Sequence, residues 1–227
     1  MLKVYFFKIK KNHHQYLEKL LQTFPLSARK RILQFDRTED QLRSATGKLL
    51  LKKLLMEEKY PANVLSSLIL DKHERPYIPG KIDFNIAHSD KYVICAISKN
   101  GRIGVDIEKV RPIKIDEFNV FLSKSELKQV LKNKKPLKLF FELWTQKEAV
   151  SKANGKGIGV LLPKVKVKKN TAFCENEKWI LAELNFNKKY VSHLAFRRQT
   201  GLKEIVLSQI KMKDLLKISQ MAVLLNG

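Results

Sequence analysis

Asp106-Ile107-Glu108 sets two carboxylates one residue apart in a segment that reads as a strand, where alternate side chains share a face about 7 Å apart. Two such groups can converge on one hard cation through oxygen ligands. The pattern alone carries little weight, because 22 acids in 227 residues yield roughly two such pairs by chance. Glu175-x-Glu177 is read as one of those chance pairs. A second group, Trp144-Thr-Gln-Lys147-Glu148-Ala-Val-Ser-Lys152, puts Glu148 and Lys152 on one helix face with Trp144 one turn earlier. Taken alone it is a surface ion pair beside a core tryptophan, worth roughly a few tenths of a kcal/mol. A third, Phe84-Asn-Ile-Ala-His88-Ser89, brings an imidazole, a hydroxyl and backbone donors to a strand end, a set that suits a phosphate or simply caps a turn. Arg31, Arg43, Ser44 and Arg75 are further candidate anion contacts.

The elements that must carry these residues can be read from periodicity and punctuation. Residues 2 to 9 form a short apolar strand. A basic helical turn follows Pro25 from Ser27 to Phe35, and Leu42, Ala45, Leu49 and Met56 recur at helical spacing to about Lys59, with Pro61 closing that helix. Residues 82 to 87 and 91 to 98 read as strands, the second apolar on both faces as in a central strand. Asn100-Gly101 between two apolar runs predicts a hairpin, with residues 102 to 108 returning antiparallel beside 91 to 98. Ser123 with Glu126 signals a capping box, and a longer helix from Leu137 to Ala153 ends at Gly155, Gly157 and Gly159. Strands are expected near 164 to 168, 178 to 185, 190 to 197 and 204 to 210, then a terminal helix over 213 to 225. Lys91-Tyr-Val and Lys189-Tyr-Val open similar strands, a faint echo of duplication.

Composition narrows the class. At 44% hydrophobic and 30% charged the sequence is globular. Cys95 and Cys174 sit in no CxxC pair, which argues against a disulfide framework or a zinc site and for a reducing compartment. Lys3 and Lys8 interrupt the first apolar run too soon for a signal-peptide core or a membrane span, so a cytoplasmic location without membrane attachment is expected. The formal charge of +23 favours anionic partners without naming one. Gly47-Lys48 lacks the Walker A spacing, and Gly155-Lys-Gly-Ile-Gly159 follows a helix instead of opening one, so neither is a nucleotide fingerprint.

Three segments in order sharpen the reading: Phe84-Asn-Ile-Ala-His88-Ser89, Ile103-Gly-Val-Asp106-Ile-Glu108-Lys109 and Phe141-Glu-Leu-Trp144-Thr-Gln-Lys147-Glu148-Ala-Val-Ser-Lys152. Together the sequence resembles the 4′-phosphopantetheinyl transferase superfamily, specifically its longer Sfp-like group. The resemblance extends more loosely from the first strand through Glu74-Arg75-Pro76 to Pro163.

It implies an α+β fold of two similar halves with the active site between them. Here residues 1–103 would serve the nucleotide end of coenzyme A, and residues 104–227 would carry the metal and the catalytic helix. It implies transfer of the phosphopantetheine arm of coenzyme A to a serine of an apo acyl or peptidyl carrier protein, with release of 3′,5′-ADP. Asp106, Glu108 and Glu148 would hold Mg2+, Glu148 would act as base directly or through water, and Lys152 would neutralise or protonate the departing phosphate. Lys147 would lie near the pyrophosphate, His88 and Arg75 near the 3′-phosphate, and Arg31, Arg43 and Ser44 along the nucleotide end. Two departures from the family pattern concern cofactor contacts: Ala87 stands where a serine is usual, and Glu74-Arg75 where glycine and lysine are usual.

Two halves in one chain suit a monomer. A nucleic-acid-binding protein and a magnesium-dependent nuclease are the competing classes. No helix-turn-helix, zinc finger or aromatic RNA platform is apparent, so no nucleic-acid partner is expected.

Overall fold

A computed structural model of the chain describes residues 2–80, 82–99, 101–156, 162–197 and 204–224. Asn100, Gly157 and Gly159 of the expected turn and helix end lie outside the described residues, as does the last residue, 225, of the expected terminal helix. The early strands are β1 (Leu2–Lys8), β2 (Ile69–Leu70), β3 (Pro76–Tyr77), β4 (Asp83–Ser89), β5 (Tyr92–Ser98) and β6 (Ile103–Lys109). The later ones are β7 (Lys166–Lys168), β8 (Thr171–Cys174), β9 (Glu177–Glu183), β10 (Tyr190–Phe196) and β11 (Ile205–Gln209). The α-helices are α1 (Leu17–Leu21), α2 (Leu26–Leu33), α3 (Thr38–Glu57), α4 (Lys124–Leu131), α5 (Pro136–Asn154) and α6 (Met212–Leu224). The chain is α+β and groups into two compact units, Met1–Lys99 with Lys203–Gly227, and Asn100–Leu202.

The first unit holds a four-stranded sheet in the order β11-β1-β5-β4, plus the small β2-β3 pair. All seven residues of β5 are buried, as its apolar faces predict for a central strand. The helix α3 packs on it, and its Leu42, Ala45, Leu49 and Leu50 are fully buried in the same core cluster as Val93, Cys95 and Ile97. At Gly47 the helix comes so near β4 that an added Cβ would meet Ile86 Cγ2 at 2.8 Å. The expected hairpin between β5 and β6 does not form. Both edges of β5 are already taken along its whole length, by β1 and by β4, so β6 has no backbone groups there to pair with.

In the second unit the sheet runs β6-β10-β9-β8-β7 and is antiparallel throughout. Ser123 caps α4 as its spacing predicts: its hydroxyl accepts from Glu126 N, and its own N–H donates to Glu126 Oε2 at 2.7 Å. Gly155 ends α5 in the left-handed region, at φ 84°. The strand β8 was not foreseen. It is four residues long and lies between Lys169 (φ 52°) and the Glu175-Asn176 turn (φ 49° and 65°), too short to show a period.

The duplication hinted at by Lys-Tyr-Val has a backbone counterpart. In one unit β1 runs antiparallel to β5, with Lys8 opposite Tyr92 and Ile9 N–H donating to Lys91 O. In the other β6 runs antiparallel to β10, with Lys109 opposite Tyr190 and Val110 N–H donating to Lys189 O. Each unit also lays one long helix, of 20 or 19 residues, on its sheet.

The expected division at residue 103, with a second half running to Gly227, differs from this grouping in where the last segment goes. The segment Lys203–Gly227 joins the first unit because β11 adds in parallel to β1 and α6 packs against α1 and α3. Leu215 in α6 is fully buried in that core. Leu215→Ala should therefore lower unfolding stability by about 2–5 kcal/mol; urea unfolding would show it, and a change under 1 kcal/mol would mean that α6 adds little to the core.

Candidate active site

The alternate residues Gly104, Asp106 and Glu108 of β6 share the face turned toward α5. At Gly104 the helix backbone rests directly on the strand: a Cβ there would lie 2.0 Å from Ala149 O and 2.5 Å from Ala153 N. No side chain fits that gap. Glu148 and Lys152 each immediately precede one of these contact residues, so they are carried down beside the strand's acids. Lys152 Nζ donates to Asp106 Oδ1 at 2.6 Å and stands 4.0 Å from Glu148 Oε2. The structure thus brings together four residues, Asp106, Glu108, Glu148 and Lys152, from two segments 40 positions apart. Gly104 went unnoticed in the sequence, although a lone glycine inside a strand signals close backbone approach.

Burial sets the electrostatics of the cluster. Asp106 is 5% exposed and Glu148 6%. Loss of solvent pushes the Glu148 carboxyl up to about 7; Lys152 pulls it back, and Asp106 and Glu108 push it further up. Burial also raises Asp106, outweighing the pull of Lys152. Lys152 is itself raised, because the acids around it overcome the burial that would lower it, so it stays a cation. Asp106 Oδ2 is buried and has no hydrogen-bond partner among the described residues. An orphaned carboxylate oxygen among three acids and one lysine is a set of hard donors with surplus negative charge, which fits a hard divalent cation. Among the described residues, no three His, Cys, Asp or Glu side chains already stand in a metal-binding arrangement; the Lys152 ammonium occupies the other Asp106 oxygen.

A further residue, His193, pins the same helix to the sheet. It lies on β10 directly opposite Asp106 and is 4% exposed. Thr145 Oγ1 donates to Phe141 O at 2.8 Å, so at 2.7 Å from His193 Nδ1 it accepts that ring's proton. The other ring nitrogen then accepts from Gln146 Nε2 at 3.3 Å. The hydrogen-bond chain is consistent with one neutral tautomer, and burial holds the imidazole at a pKa of about 4. A polar residue within a strand of otherwise small and apolar side chains was the available signal.

Lys147 does not join the cluster. It is 1% exposed; its ammonium donates to Val165 O at 2.8 Å and lies 3.0 Å from Glu126 Oε2 and 3.4 Å from Leu162 O. Those partners use it as an internal strut between α5, the α4 cap and the 162–165 segment, and the expected pyrophosphate contact is not met by this geometry. Trp144 packs edge-on to Phe118 and Phe121 and stacks on Phe140, a core role. Glu175 and Glu177 pair with Lys156 and Arg197 at the β8–β9 turn, as befits a chance pair.

The candidates in the first unit divide by charge. Arg75 forms a bidentate pair with Asp83 at 2.7 and 2.9 Å and is 8% exposed. Arg43 pairs with Asp40 and donates to Asp90 O at 2.8 Å. Both guanidinium groups are thus compensated internally. Arg31 is exposed on α2, and Ser44 Oγ accepts from Lys48 Nζ at 2.9 Å. On β4 His88 is exposed, whereas Ala87, pointing to the opposite face by strand alternation, is buried.

Comparison with known proteins gives concordant matches. A family model of the 4′-phosphopantetheinyl transferase superfamily matches residues 102–208, and one described as the 4′-phosphopantetheinyl transferase N-terminal part matches residues 11–100. The 4′-phosphopantetheinyl transferase gsp of Aneurinibacillus migulanus is 35% identical over 143 residues, 61% of this chain and 59% of that protein. The 4′-phosphopantetheinyl transferase Sfp of Bacillus subtilis (strain 168) is 30% identical over 155 residues, 66% of this chain and 69% of that one. The 4′-phosphopantetheinyl transferase HetI of Nostoc is 39% identical over a shorter stretch of 82 residues, 34% of this chain and 35% of its own length.

Two predictions follow from this packing. Gly104→Ala must push α5 off β6 and should cost about 1–3 kcal/mol or more while separating Lys152 from Asp106; a crystal structure of the variant with that 2.6 Å contact intact would refute the seat. His193, at about 4 in the fold against about 6.5 unfolded, binds protons more readily in the unfolded chain. Its contribution leaves stability untouched above pH 6.5 and erodes it as pH falls toward 4, by up to about 3 kcal/mol. Urea unfolding of His193→Gln between pH 7 and 4 should show a correspondingly flatter decline than the parent; parallel declines would reject a neutral buried imidazole.

Proposed function

We propose a reaction on one premise: this chain belongs to the 4′-phosphopantetheinyl transferase superfamily, whose members act on carrier proteins with coenzyme A. It transfers the phosphopantetheine arm of coenzyme A to a serine of an apo acyl or peptidyl carrier protein and releases 3′,5′-ADP. The observation that carries this reading is the Asp106–Lys152–Glu148 cluster, whose buried Asp106 Oδ2 has no hydrogen-bond partner among the described residues.

Asp106, Glu108 and Glu148 are the residues that would hold magnesium, which when bound neutralises charge on the pyrophosphate oxygens. Glu148, poised near neutrality by burial, takes the proton of the carrier serine. The serine oxygen then forms a bond to the pantetheine-side phosphorus as the bond from that phosphorus to the bridging oxygen breaks. Lys152 remains cationic and has N–H bonds to offer beyond the one given to Asp106, so it meets the charge that grows on the departing 3′,5′-ADP. The exposed groups Arg31 and His88, with Ser44, are assigned to the nucleotide end of coenzyme A. Arg43 and Arg75, held by carboxylates, serve that end by shaping it.

No helix among the described residues is long and apolar enough to cross a membrane. The reading places the protein in the cytoplasm as a monomer, with neither a membrane nor a nucleic acid as partner, and its +23 charge favours polyanionic coenzyme A and an acidic carrier.

Intact-protein mass spectrometry tests the assignment. An apo-carrier incubated with the protein, coenzyme A and magnesium should gain one phosphopantetheine, and Glu148→Gln should slow the gain by at least about a hundredfold with the circular dichroism spectrum unchanged. No gain on any of several carriers, or near-parental turnover by the variant, would sink the reaction or the role of Glu148 respectively.

A further inference from the structure

Away from the acidic cluster, two buried polar atoms of the second unit, Trp179 Nε1 and Asn154 Oδ1, have no hydrogen-bond partner among the described residues. Both residues line the same cavity, of about 380 Å³. Small molecules occupy cavities of roughly 300–1,000 Å³, so this one is large enough for a ligand. Asn154 is the last residue of α5, and Trp179 lies on β9, fully buried in one core cluster with Ala149 and Ala153. The indole is fixed in place: Arg197 stands 5.4 Å over its ring and is tied in turn to Glu177. The other acid of the wall, Glu175, is held by Lys156 at 2.6 Å. Arg102, two residues before Gly104, lines the same cavity, is exposed, and makes no ion pair among the described residues. The wall thus offers an uncompensated cation, a buried donor and a buried acceptor.

We propose that this cavity binds a small organic carboxylate with a neutral O–H or N–H donor beside the carboxylate, the pattern of an α-hydroxy acid. Each part of such a ligand has a counterpart in the wall. The planar guanidinium of Arg102 matches a carboxylate through two parallel N–H bonds. The indole N–H acts only as a donor, so it gives its proton to a carboxylate oxygen. Asn154 Oδ1 accepts from the ligand hydroxyl, which a plain fatty acid or an inorganic anion does not supply in that place. Glu175 and Glu177 leave the wall with a surplus of a single positive charge, which suits a monoanion and repels a dianion. The site joins the last turn of α5 to the start of β6, so an occupant bridges the two elements that hold the acidic cluster. The proposal is independent of the transferase reading, because none of the residues assigned to coenzyme A or magnesium lines this cavity.

Trp179 supplies the probe for a test that needs no turnover. The chain has two tryptophans, so its nitrogen–proton correlation spectrum holds two indole cross-peaks, and the one lost in Trp179→Phe is thereby assigned. At constant pH and ionic strength, lactate should shift that peak saturably and leave the Trp144 peak in place. Propionate, which lacks the hydroxyl, and lactamide, which lacks the charge, should each bind at least about tenfold more weakly, the loss of one hydrogen bond to a charged or buried group. Arg102→Gln should weaken lactate by a similar factor with the melting temperature unchanged, since Arg102 is exposed. Asn154→Leu should remove the preference for lactate over propionate. A lactate titration without a saturable shift, equal affinities for lactate and either analogue, or undiminished binding by Arg102→Gln would overturn the proposal and leave trapped water as the partner of both orphaned atoms.

Discussion

The backbone of α5 rests on β6 at Gly104 with no side chain between them. Every other feature of the acidic cluster is a consequence of that distance. A side chain at position 104 would hold the helix off the strand and carry Glu148 and Lys152 away from Asp106. Here the helix is one side chain closer, so Glu148 and Lys152 are drawn into the same dry layer as Asp106. Thr145 and His193 hold the preceding turn of the helix by a second fastening, on the neighbouring strand. The helix is therefore fixed in translation by two unlike contacts, one steric and one polar.

Burial so arranged costs stability. Three carboxylates and one ammonium leave surplus negative charge in a poorly solvated place, and one Asp106 oxygen has no hydrogen-bond partner among the described residues. Proteins tolerate such arrangements where the missing charge arrives with a ligand.

The two units repeat one local plan. In each, a strand pairs antiparallel with a later one, β1 with β5 and β6 with β10, the final backbone bond reaches the lysine before a Tyr-Val pair, and a long helix covers the later strand. They diverge in what the helix carries. On α3 the close approach is made by Gly47 and basic residues follow it, whereas on α5 the glycine is on the strand and the helix supplies the acid and the lysine.

Local rules were enough for most elements, because capping, helical period and alternation are properties of neighbours in sequence. Ser123 with Glu126, Gly155 at the end of α5, the central character of β5 and the two long helices were all legible in this way. So were Asp106, Glu108, Glu148 and Lys152 as a set, once their order along the chain was taken together. What sequence could not decide was partnership between distant segments. Asn100-Gly101 looks like a hairpin, but β5 had no free edge; Lys147 looks like a neighbour of Glu148, but a helix turns adjacent residues about 100° apart and sends Lys147 to Glu126 and the 162–165 carbonyls. The bidentate pairing of Arg75 with Asp83 was illegible for the same reason. Charge compensation depends on which carboxylate lies near in space, and only the tertiary structure places Asp83 beside Arg75.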